Sequence, residues 1–114
     1  MKVERVRSNL LEEATQDYVG LHEIVWDLAS DDAHGTEEER IHAAQTLIAE
    51  LRQSCDVRIF RTDTWPPKLW VAVPPDEYFG ILSSAESWRV PAEVNPATLF
   101  WLTIESTQLK DAGA

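Results

Sequence analysis

Thr36-Glu-Glu-Glu-Arg-Ile-His-Ala-Ala-Gln-Thr-Leu-Ile-Ala-Glu-Leu-Arg52, followed closely by Asp56-Val-Arg-Ile-Phe-Arg61, is the stretch on which the reading of the fold turns. Thr36 with Glu39 three residues later matches a capping box, and three Glu in the first turn suit the positive end of a helix dipole. Ile41, Ala44, Leu47, Ile48 and Leu51 recur at three- and four-residue steps, so one stripe of this helix is buried. The helix ends near Ser54–Cys55, and its outer face carries His42, Gln45, Thr46, Ala49, Arg52 and Gln53, without acids. Asp56 to Arg61 then reads as a strand.

Upstream, residues 9–30 read as one helix with Leu11, Ala14, Tyr18, Leu21, Val25 and Leu28 as its buried stripe. Glu13, Gln16, Gly20, Glu23, Asp27 and Asp31 recur in the same way on the far side, with Ile24 beside that acidic face and Val19 and Trp26 on its other border. Gly20 falls mid-helix, where Gly costs about 1 kcal/mol relative to Ala; it marks either a close approach by another backbone or a tolerated defect. Downstream, Thr62 to Pro67 reads as a loop and Leu69 to Val73 as a second strand, together a hairpin with a long tip. Pro74-Pro75 opens a short helix from Asp76 to about Ser83, Ser84 to Pro96 is irregular, and Thr98 to Ile104 reads as a third strand. The expected architecture is a single α+β domain over 1–114: two N-terminal helices, a β-hairpin, a short helix and a third strand. Its ordered core spans about 9–105, and 106–114 form a frayed tail.

This order of helices followed by Asp56-Val-Arg-Ile-Phe-Arg61, a loop and a strand resembles a winged-helix domain, over about Asp17 to Val73. It resembles more loosely a set of small uncharacterised bacterial proteins with that layout and a late Trp-bearing strand, here Phe100-Trp101-Leu102. The resemblance implies that the hairpin is a wing and that the helix before it faces DNA. Carried onto this chain, His42, Gln45, Thr46, Arg52 and Gln53 would face bases, with Arg58, Arg61 and Lys68 near phosphates. The sequence departs from that pattern in having few basic residues and Cys55 where Gly commonly ends a helix.

The 114 residues carry 20 acidic and 10 basic side chains, a formal charge of −10. Ten of the acids lie between Ser8 and Glu39, a stretch with no Lys or Arg, so the whole excess belongs to one segment. Such a field repels nucleic acid and membrane phosphates and draws in basic partners; it also reads simply as a solvated face that keeps a small protein soluble. Five Trp argue against a disordered chain, and no apolar run approaches the ~20 residues of a membrane span. The charged N-terminal stretch does not read as a secretory segment, and the single Cys55 excludes an intrachain disulfide and Cys-rich zinc sites. A cytoplasmic location is expected, with no membrane association.

No constellation for catalysis stands out, and neither an enzyme, a cofactor nor a metal site is expected. His22-Glu23 is followed by Trp26 where a zinc-protease helix needs its second His, and His22 reads as a half-buried packing residue. His34 beside Asp31 and Asp32 lacks the further ligands of a rigid cation site. Cys55 at a helix C-terminus, where the dipole disfavours a thiolate, reads as a small buried hydrophobe. Trp26, Trp70, Trp88 and Trp101 fall on or beside predicted elements and read as core. Trp65, at a predicted loop tip before two prolines, is either an exposed interface anchor or folded back over the hairpin.

The leading expectation is therefore a protein-binding module that captures a basic partner. Glu13, Glu23, Asp27 and Asp31 supply the field, and Val19, Ile24, Trp26 and Trp65 the contact area. Toxin-neutralising immunity proteins and proteins that mimic nucleic-acid charge often share this profile of small size and strong acidity, so by analogy an immunity or antitoxin-like protein or an adaptor is expected. The alternative is a winged-helix DNA-binding regulator acting as a dimer, which charge disfavours. A third reading makes the apolar first helix a homodimer contact.

Overall fold

A computed structural model describes residues 3–31, 35–64, 66–90 and 98–105. The elements in chain order are α1 (Val3–Ala14), β1 (Val19–Gly20), α2 (Leu21–Asp31), α3 (Glu37–Ser54), β2 (Asp56–Thr62), β3 (Val71–Ala72), α4 (Tyr78–Ser83) and β4 (Leu99–Glu105). Short 3-10 turns at Pro75–Glu77 and Ala85–Trp88 flank α4. The four strands form one antiparallel sheet in the order β1-β4-β2-β3, so the fold is α+β.

The expected single helix over 9–30 is two helices, the first beginning at Val3 and ending at Ala14. The local chemistry of Thr15 to Tyr18 breaks it. Thr15 Oγ1 donates to the Glu12 carbonyl (2.9 Å), the Gln16 and Asp17 amides turn back onto the Glu13 carbonyl, and the Asp17 carboxylate accepts from the Tyr18 amide (2.7 Å). Side chains of these types offer the backbone a turn in place of a helix. The buried stripe of α1 is Val6, Leu10 and Ala14, and Leu11 and Tyr18 are only half-buried.

The helix α3 begins and ends where its sequence predicts. Thr36 Oγ1 accepts from the Glu39 amide (3.1 Å) and Glu39 Oε1 from the Thr36 amide (3.2 Å), completing the capping box. All five residues of its expected stripe are buried. At its C-terminus the Cys55 amide donates to the Leu51 carbonyl (2.8 Å) and the thiol is half-buried.

The hairpin is shorter than expected. The strand expected over Leu69–Val73 contracts to Val71–Ala72, paired with Arg61 and Phe60. Pro66 and Pro67 can donate no ladder hydrogen bond, which suits an approach outside the sheet. The long partner of β2 is β4, from Asp56↔Glu105 to Thr62↔Leu99, and β1 pairs with the other side of β4. The last strand is thus interior to the sheet.

Pairing sorts the two sheet faces. Val57 with Ile104, and Ile59 with Leu102 and Val19, belong to the core shared with the helices. Phe60, Trp101, Thr62 and Leu99 alternate onto the other face. There Trp101 Nε1 donates to Thr62 Oγ1 (2.8 Å), and aromatic rings run continuously from Phe60 through Tyr18, Trp70 and Trp101 to His22 and Trp26. Trp88 and Trp101 are buried as expected, Trp70 is half-buried, and Trp26, also assigned to the core, is exposed. Tyr78 Oη accepts from the buried Ile59 amide (3.1 Å) and ties α4 to β2. The Leu82 carbonyl, left open at the end of α4, accepts from both Trp88 Nε1 and Gln45 Nε2 (3.0 Å each). The expected tail from Ser106 lies outside the described residues.

Candidate functional site

The break in the first helix creates a groove. Helices α1 and α2 pack side by side and leave between them a depression of about 230 Å³. Its floor is apolar and buried: Val6 and Leu10 from α1, Val19 from β1 and Ile24 from α2. Its walls carry Asn9 and Glu13 on α1, and Glu23, Trp26 and Asp27 on α2. Six of the eight residues expected to bind protein, Glu13, Val19, Glu23, Ile24, Trp26 and Asp27, therefore line one depression. They come from three elements and not from one helical face, and Val19 and Ile24 are floor instead of rim. The side chain of Asp31 and the whole of Trp65 lie outside the described residues.

The carboxylates are differently engaged. Glu23 Oε1 accepts from the Gly20 amide (2.9 Å), reaching back three residues to satisfy a donor ahead of α2. Asp27 Oδ1 accepts from Arg5 Nη2 (2.9 Å), which also leans on the Asp27 carbonyl (3.4 Å) and ties α1 to α2. Glu13 uses its backbone carbonyl in the turn and keeps its exposed carboxylate without a partner among the described residues. Trp26 stands beside them with 59 % of its surface exposed, its ring edge-on to His22 at 4.9 Å. His22 is more deeply placed than expected, at 4 % exposure between Trp26 and Trp101. Burial pushes its pKa below the ordinary 6.5, and Glu23 opposes part of that shift.

The residues of the DNA-binding expectation are not brought to one surface. His42, Gln45, Thr46 and Arg52 line a separate groove against α4, with Gln45 already donating to Leu82. Gln53 is exposed beyond it, and Lys68 is exposed on the segment before β3. Arg58 and Arg61, three apart on one strand, project from opposite sheet faces. Arg58 meets Asp56 (3.1 Å) and Glu105 (3.4 Å), and Arg61 meets Asp63 (3.3 Å). Of the apolar stripe expected over residues 9–30 and read as a homodimer contact, Ala14, Leu21, Val25 and Leu28 are buried in the chain's own core and Leu11 packs against it.

Reading the helix from residue 9 left out Arg5 and Val6 and hid the role of Asn9 and Leu10. The spacing of Val3, Val6, Leu10 and Ala14 carries the signal for Val6 and Leu10; Arg5 and Asn9 follow only from the helix that this stripe defines. Among the described residues no three His, Cys, Asp or Glu side chains gather as a metal site, and no helix is long and apolar enough to cross a membrane. No protein-family model matches the chain, no curated protein matches it, and no solved structure matches it.

Proposed function

We propose that the protein is a cytoplasmic, non-enzymatic binding module that docks or neutralises a basic protein partner at the α1–α2 groove, in the manner of an immunity or antitoxin-like protein or an adaptor. The observation that carries this reading is the coincidence of three carboxylates and an exposed Trp around one depression. Carboxylates steer a cationic partner and raise its association rate. A rigid aromatic that becomes buried on contact holds the partner once it has arrived. Both kinds of residue are needed, and here they are adjacent.

The test is retention of basic proteins from a nuclease-treated lysate of the source organism by the immobilised wild-type chain and by Glu13→Gln/Trp26→Ala. A basic protein released by a salt step from the wild type and held at least tenfold more weakly by the variant is the expected outcome. Equal retention by both would reduce the groove to a solvated face. The DNA-binding alternative draws less support. Its two strand arginines diverge and are each already paired with carboxylates, whereas tight DNA binding calls for many phosphate contacts.

A further inference from the structure

A second groove, between α3 and α4, has another character. Its walls are His42, Thr46, Ala49 and Arg52 from α3 and Phe79 and Leu82 from α4, around about 310 Å³. No carboxylate among the described residues lines it, whereas the α1–α2 groove carries three and other surface depressions include Glu37, Glu77 or Glu86. Arg52 has no carboxylate partner among the described residues. It is nevertheless placed, with its guanidinium carbon 5.5 Å from the centre of the Tyr78 ring, and Tyr78 is itself fixed by its bond to the Ile59 amide. Beside this cation Phe79 projects with 78 % of its surface in water. The bond from Gln45 to the Leu82 carbonyl fixes the spacing of the two walls.

A positioned guanidinium with no carboxylate partner among the described residues, next to an exposed ring and an apolar trough, is complementary to one kind of segment. We propose that the α3–α4 groove docks an acidic amphipathic peptide, its apolar side chains against Phe79, Leu82 and Ala49 and a carboxylate on Arg52. From His42 to Arg52 the wall runs about 15 Å at the helical rise of ~1.5 Å per residue, so a helical occupant of about ten residues spans it. The net charge of the chain does not forbid this. At physiological ionic strength, exposed charges are largely screened beyond about 8 Å, so the lining residues weigh most. A nucleic acid fits less well, because Arg52, the one Arg or Lys among the described lining residues, gives few phosphate contacts and Phe79 stays unused.

The experiment is selection from a library of random 12-residue peptides on the whole chain, with the Arg52→Glu/Phe79→Ser variant as the counter-selected decoy. Enriched peptides should combine Asp or Glu with Leu, Phe or Trp at three- or four-residue spacing. Their affinity should fall at least tenfold in Arg52→Ala and, separately, in Phe79→Ala. Both positions are exposed, and matching thermal unfolding curves would establish that each variant is folded. Basic peptides, peptides that bind both single variants as well as the wild type, or no enrichment over the decoy would overturn the proposal. Binding of a 20-base-pair duplex that Arg52→Ala abolishes would overturn it in favour of nucleic acid. Neither substitution touches the α1–α2 groove, so the outcome stands apart from the function proposed for that groove.

Discussion

Gly20 sits where the chain leaves β1 and enters α2, and its missing side chain is filled by its neighbours. A Cβ there would lie 2.4 Å from His22 Cε1 and 3.0 Å from Glu23 Oε1. The close approach weighed for this glycine is therefore real, but side chains make it and not a second backbone. Gly20→Ala should destabilise the fold by about 1–3 kcal/mol, the range for overpacking, as read by urea unfolding. Gly80 in α4 has nothing within 4 Å of the same construction. Gly80→Ala should be neutral or stabilising by up to about 1 kcal/mol, since Ala gains helix propensity there. His22, packed against Gly20, adds a pH dependence. Its imidazole is held below the ordinary 6.5 by burial, against a smaller opposing effect of Glu23. As pH falls below about 6.5 the unfolded chain takes up a proton that the folded chain resists, so stability should decline over the interval down to the depressed folded value. His22→Phe, which keeps a ring between the two tryptophans, should lose less stability between pH 7.5 and pH 5.5 than the wild type. Equal losses would assign the effect to other groups.

Among the elements, α3 was legible throughout because its information is local: the cap, the stripe and the end all lie within its own residues. Removing the cap with Thr36→Ala should cost about 1 kcal/mol, measurable as a lower thermal midpoint. The first helix was misread for an equally local reason. Ala14, Leu21, Val25 and Leu28 stay in helical phase across the break at Thr15–Tyr18, so the period continues although the helix does not. A two-residue strand such as β1 has no period at all, and its pairing with β4 is a long-range fact. The acids and Trp26 of the groove were legible as types, but the groove itself needed the break. The same geometry changes how the site should be probed. Reversing Glu23 to Lys would remove a hydrogen-bond partner of Gly20, and reversing Asp27 would break its pair with Arg5. Only Glu13 among the three can be changed without loosening a helix. Tyr78→Phe would be costly despite its small change in volume: the buried Ile59 amide would lose its acceptor, for about 1–3 kcal/mol.

Over the whole molecule, charge and apolar area are divided between two helical grooves, one acidic and one with no carboxylate among its described lining residues. Association of a basic partner with the acidic groove should slow steeply as salt is raised, and Glu13→Gln should flatten that dependence while leaving the dissociation rate nearly unchanged. Stopped-flow mixing across ionic strengths would show it; a larger change in dissociation would mean that Glu13 acts by contact and not by steering. The sheet, for its part, is ordered β1-β4-β2-β3, with its final strand laid between two much earlier ones. During synthesis, β1 and most of β2 must wait with open edges until Leu99–Glu105 has left the ribosome. The nascent chain can form α3 early, but it cannot close its sheet until β4 has emerged. A chain truncated before residue 98 should therefore bind chaperones and resist no protease, and a chain that includes Leu99–Glu105 and is free of the ribosome should do neither.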